Sequence, residues 1–244
     1  MKKRFLIALC AVALTLGGAA AAFADLAPGT GVVDSKHDML NYTINNSGTP
    51  DEYERVCAYC HTPHHAIEDS NSDYLPLWSR TVTATDFDPY TSATFSQAGL
   101  FTDPVIGPSR LCMGCHDGVV AIDAYYGAVG TPGLTEGDGW GEIGIGIEPN
   151  TLTNDHPIGF SYLDAQTADG AANLHPATNA FAGGTVIADV LYDDGTGAGK
   201  EIMTCATCHD VHNGPEVDDS DDNTGWFLYG TQTDSGFCTT CHNK

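Results

Sequence analysis

Four short stretches of this chain have the residue types and spacing to do chemistry. They read Cys57-Ala-Tyr-Cys60-His61, Cys112-Met-Gly-Cys115-His116, Cys205-Ala-Thr-Cys208-His209 and Cys238-Thr-Thr-Cys241-His242. On a helical turn, residues at i, i+3 and i+4 share one face, so two thiols and an imidazole come to one side of the chain. C-x-x-C-H is the attachment sequence of c-type haem, in which the thiols form thioethers to the vinyl groups and the histidine takes one axial position on the iron. Tetrathiolate zinc would use the cysteines but gives no reason for a histidine after every second one. Disulfides suit an exported protein and leave the same histidines unexplained. The four motifs therefore predict four covalently held haems, with Cys57, Cys60, Cys112, Cys115, Cys205, Cys208, Cys238 and Cys241 as attachment points and His61, His116, His209 and His242 as proximal ligands.

Each iron has a second axial position. Outside the motifs and beyond the leader the chain has His37, His64, His65, His156, His175 and His212. Methionine is the other usual ligand, but only Met39, Met113 and Met203 are available, and Met113 lies inside a C-x-x-C. Bis-histidine ligation at all four irons is the expectation. An internal repeat sharpens it. Cys57 to His64 and Cys205 to His212 share the pattern C-A-x-C-H-x-x-H, and each is followed by a plainer motif with an apolar residue before it, Leu111 or Phe237. The chain thus reads as two haem-pair halves, about 25–125 and 150–244. His64 and His212, three residues from a proximal ligand, cannot readily reach the far face of their own haem and are placed to serve a neighbouring one. His37 precedes the first pair, and either His156 or His175, both followed by proline, precedes the second.

The elements that must position these residues are sparse. Lys2, Lys3 and Arg4, the apolar run Phe5 to Leu16, and Ala22-Phe23-Ala24 form a secretory leader with a cleavage site after Ala24, and Cys10 leaves with it. The apolar run is short for a transmembrane helix. Cleavage leaves 220 of the 244 residues, with six basic against 32 acidic side chains, a net charge of −26. That balance argues against nucleic acid and anionic membrane surfaces as partners. Gly, Pro, Asp, Asn, Ser and Thr interrupt nearly every segment, so a core built from the chain's own ladders is not expected. The predicted fold is a multihaem cytochrome c, mostly coil, with short helices at the motifs and few short strands, such as 82–85 and 184–187, wrapped round a stack of four haems.

The stretches Ser35-Lys36-His37-Asp38, Cys60-His61-Thr62-Pro63-His64, Leu111 to Gly118, Asp155-His156-Pro157 and Cys208-His209-Asp210-Val211-His212 resemble the doubled C-x-x-C-H multihaem cytochromes exported by metal-reducing bacteria, in particular the OmcE-like tetrahaem cytochromes that form extracellular filaments. Carried over residue by residue, the resemblance implies His37, His64, His156 and His212 as distal ligands and leaves His65 and His175 spare. It also implies a head-to-tail homopolymer that passes electrons from partner cytochromes to extracellular acceptors. In such filaments a histidine near the mature N-terminus ligates a haem of the adjacent subunit, a role for which His37 is the candidate. The rival readings are a monomeric periplasmic shuttle and, from another class, a multihaem reductase, which needs an open iron.

Other signals are weaker. Arg55 and Arg110, each two residues before a motif cysteine, are candidates to pair with haem propionates or are ordinary surface residues. Gly195 to Lys200 imitates a phosphate loop, but Asp194 stands where its first glycine belongs. Asp219, Asp221 and Asn223 have calcium-loop spacing with Gly225 displaced by one, which a solvated acidic loop explains as well. Asn41-Tyr42-Thr43 and Asn45-Asn46-Ser47 match the glycosylation sequon. Trp78, Trp140 and Trp226 are expected to pack against haem edges.

Overall fold

The computed structural model describes residues 31–33, 35, 37–41, 53–70, 72–100, 103–132, 145, 151–196, 201–212, 227–230 and 232–243. The leader with Cys10, the second sequon, Trp140, Trp226, Lys200 and the acidic stretch 219–225 lie outside these residues.

Helix forms in five short pieces: α1 (Pro108–His116), α2 (Tyr162–Asp169), α3 (Ile187–Val190), α4 (Cys205–Cys208) and α5 (Gly236–Cys241), with single 3-10 turns at Met39–Asn41, Val56–Tyr59 and Thr233–Ser235. Local chemistry accounts for their ends. Pro108 opens α1, where its missing N–H costs nothing. Ser161 caps α2 by accepting from the Asp164 amide at 3.1 Å, and Gly170, at φ 73°, ends it. In α4 the Thr207 hydroxyl accepts from the Thr204 amide at 2.9 Å and donates to the Val190 carbonyl at 3.2 Å, tying α4 to α3. No helix among the described residues is long and apolar enough to cross a membrane.

Among the described residues β-structure is confined to isolated bridges, including His61 with Trp78, Arg80 with Tyr125, Leu174 with His242, Tyr192 with Ile202 and His209 with Leu228. The strands expected at 82–85 and 184–187 are absent. The Thr83 carbonyl is taken by the Arg110 side chain at 2.8 Å instead of a neighbouring backbone. Val186 makes one bridge to Ala180, after which the chain turns at once into α3. The chain is coil-rich, as its Gly and Pro punctuation implies.

The apolar interior is divided. One cluster gathers Phe160, Tyr162, Ala165, Leu174, Phe181, Ile187, Leu191 and Met203, with Cys241 at its margin. Three smaller ones centre on Met39, Tyr59 and Ile122, on Phe87, Val105, Met113 and Leu152, and on Trp78, Val82 and Leu111. Cys60 and Cys115 border the Met39 cluster, and Cys60 also borders that of Trp78. Three of the four clusters end at motif cysteines.

The two halves interlock. α1 packs on α4, the Cys205 amide donates to Ser109 Oγ at 3.0 Å, and the Tyr192 hydroxyl donates to Asp73 Oδ2 at 2.7 Å. Gly107 makes this closeness possible. Its φ is 60°, and a Cβ there would stand 2.6 Å from the Tyr192 ring. Gly99, at φ 77°, has nothing within 4 Å. Chemical denaturation of the protein is expected to show Gly107→Ala destabilised by about 3 kcal/mol and Gly99→Ala by about 1 kcal/mol, since only the former adds overpacking to backbone strain. Equal losses would mean that the contact with Tyr192 is of no consequence.

Candidate haem-attachment sites and their histidine pairs

Each C-x-x-C lies on a single helical turn. In three motifs the turn closes with a hydrogen bond from the histidine amide to the carbonyl of the first cysteine: His61 to Cys57 at 2.8 Å, His209 to Cys205 at 3.0 Å and His242 to Cys238 at 3.0 Å. His209 and His242 then leave the helix in extended conformation. The second motif differs, with His116 remaining the last residue of α1. All eight cysteines are separate thiols, Cys57 and Cys238 exposed and the rest partly buried.

The thiols run in sequence order through the protein. Cys60 and Cys115 share the Met39 cluster. The Cys112 thiol donates to the Pro108 carbonyl at 3.3 Å, and its interaction with the neighbouring Cys205 thiol raises Cys112 and lowers Cys205 from the ordinary thiol range. Burial, reinforced by Cys241, pushes Cys208 up to about 12, and burial reinforced by Cys115 does the same for Cys60. The Tyr162 hydroxyl, which donates to the His175 carbonyl at 2.8 Å, also lies against the Cys241 sulfur.

Three imidazole pairs stand out. His61 and His212 have ring centroids 6.1 Å apart, His116 and His37 6.1 Å, and His242 and His156 6.2 Å. Two imidazoles binding one metal ion from opposite sides through bonds of about 2 Å would have centroids about 6 Å apart once the ring radii are added. Among the described residues no group of three or more His, Cys, Asp or Glu gathers as a metal site; an axially ligated iron asks only for a pair of protein donors. The ring nitrogens suit that use. His61 Nδ1 donates to the Pro76 carbonyl at 2.9 Å and His156 Nδ1 to the Pro157 carbonyl at 3.1 Å. A carbonyl can only accept, so Nε2 carries the lone pair in both rings. Burial, reinforced by His116, His209 and His212, holds His37 down to about 4, which keeps it in the neutral form a metal requires.

Buried polar atoms without a partner fall beside the same sites: His37 Nδ1, Trp78 Nε1 and Arg80 Nε. Trp78 stands edge-on to His61 at 5.4 Å, and Phe227 lies 4.7 Å from His37. Such orphans are rare in native interiors and mark places where a further group belongs. The donors, their spacing and these atoms fit covalent haem at the motif turns.

The expected residues are thus brought together unequally. His37 faces His116 of its own chain, its segment held by the Gly31 amide donating to the His212 carbonyl at 2.8 Å. His64 points outward, with no ring against it among the described residues, in a turn tied by the Thr62 hydroxyl donating to the His64 carbonyl. His65 is exposed at φ 76°. His175 holds the last motif through its backbone, its amide donating to the Cys241 carbonyl at 2.8 Å. Arg110 is turned inward, paired with Asp103 at 2.8 Å, and Arg55 lies between the rings of Tyr53 and Tyr126. Sequence reasoning missed the Pro76 carbonyl, the Tyr162 hydroxyl and Arg80, which no local spacing announces.

No family model matches the chain, and no curated protein matches it. Where the motif turns hold haem, His212→Ala is expected to convert one haem of four from low-spin to high-spin in the absorption and EPR spectra, with added imidazole restoring it. His175→Ala should leave all four low-spin. An unchanged spectrum for His212→Ala would break the pairing with His61.

Proposed function

We propose that this chain is a tetrahaem c-type cytochrome that carries electrons along four sites arranged in sequence order, exported and assembling into an extracellular polymer. The observation that carries the reading is the recurrence of two imidazoles about 6 Å apart at three separate C-x-x-C-H turns. Haem c, when bound, supplies a one-electron ferric–ferrous couple. The chain's own residues do the rest. Eight thiols would anchor the haems and the paired histidines would ligate their irons, while the proximity of Cys60 to Cys115, of Cys112 to Cys205 and of Cys208 to Cys241 would keep successive sites adjacent. An iron held by two histidines would offer no open position to a substrate, which favours electron transfer over a reductase.

Assembly is argued from the repeat. His212, trailing the third motif, meets His61 of the first. The reciprocal contact would join His64, which trails the first motif and is exposed, to the third motif at His209. In our reading His64 makes that contact with a second copy, giving a head-to-tail interface that does not close on itself. His37 is then a ligand within its own chain. Soluble acceptors and partner cytochromes meet an acidic surface and are expected to dock through complementary basic patches.

The exported protein should take up four electrons per chain on reduction and bind no carbon monoxide; an iron that binds it would favour the reductase. His64→Ala should appear as single copies in negative-stain images while His37→Ala still polymerises. Filaments from His64→Ala would exclude it as the joining ligand.

A further inference from the structure

One buried charge has no role in the reading so far. Arg80 is 1% exposed and is wedged between the first two motifs. Its Nη1 donates to the Ile122 carbonyl at 2.7 Å and its Nη2 to the carbonyls of Gly114 and Ala121, both at 3.2 Å. Gly114 lies between Cys112 and Cys115. The preceding residue, Ser79, fastens the same segment to the first motif, its amide donating to the Cys60 carbonyl and its hydroxyl to the Ala58 carbonyl, each at 2.9 Å. Nε is buried without a partner.

No carboxylate contacts Arg80 among the described residues. Asp117, buried in the adjoining turn, uses Oδ1 to accept from the amides of Val119 and Val120 at 2.8 and 2.9 Å. The other buried arginine, Arg110, is by contrast neutralised by Asp103. An interior cation without a counter-ion is costly, and carbonyl dipoles offset only part of that cost. Its field acts on whatever charge changes nearby, and the low local dielectric lengthens its reach. The second site has Asp117 directly after its proximal His116, an opposing charge next to that ligand. No Lys or Arg occurs among the described residues from 151 to 243.

Resting on the proposed function, we propose that Arg80 is a positioning residue for charge: its buried guanidinium sets the haem on Cys57, Cys60 and His61 at the highest reduction potential of the four. Reduction adds one negative charge to a site, and a nearby fixed cation favours the reduced form. One electron leaves the neighbouring site as one arrives; no bond forms, no proton moves, and Arg80 stays charged in both states. The first site is then where electrons gather.

The test is an optical redox titration of the full-length haem-loaded protein, resolved into its one-electron components. The first-site haem is identified by NMR contacts with the Trp78 ring. In the wild type that haem should have the highest midpoint. Arg80→Met should lower its reduction equilibrium constant about tenfold, or about 59 mV for one electron, while the other three move less. Arg80→Lys, which keeps the charge, should preserve it. If Arg80→Met does not fold, Arg80→Gln takes its place and the wild-type order stands as a separate test. A first-site haem that is not the highest, or a neutral variant with four haems and unmoved midpoints, overturns the inference alone. Exported protein lacking haem would overturn the functional reading beneath it.

Discussion

The spacing between facing imidazoles is the constraint on which the architecture depends. A metal held between two histidines requires them at one separation, and this chain meets it three times, at 6.1, 6.1 and 6.2 Å. Each pair joins a residue fixed to a helical turn with one from a distant segment: His61 with His212, His116 with His37, His242 with His156. The pairs are long-range: they set the N-terminal segment against α1 and the end of the third motif against the first, and of the three His61 with His212 spans the two halves. A chain with divided apolar clusters and no sheet among its described residues has little regular structure of its own to offset its conformational entropy.

Polar chemistry around the pairs points the same way. Pro76 and Pro157 offer carbonyls, and a carbonyl on Nδ1 selects the tautomer whose Nε2 is available. Burial keeps His37 neutral. Cys112 and Cys205 bring the two halves together, with Ser109 fastening the first turn of α4 to α1.

The motifs were legible because they are local. C-x-x-C-H needs one turn of helix, and one turn forms at each, including the 3-10 turn around Cys57. The scarcity of regular structure was legible from the Gly and Pro punctuation. What the sequence hid was long-range. That His212 would meet His61, or that His156 and not His175 would face His242, depends on contacts across more than half the chain or across bridges such as Leu174 with His242. The 82–85 and 184–187 segments have β-forming residues, yet an arginine side chain and a helix start claim their backbone. Arg80 looked like any other arginine until the fold closed over it.

The central claim is that eight thiols of this chain are covalently joined to four haems. The intact mass of the exported polypeptide tests it most directly. The account predicts a mass equal to the chain from Asp25 to Lys244 plus four haem groups, unchanged by reducing agents that would open disulfides. A mass equal to the bare polypeptide, or one altered by reductant, would contradict it.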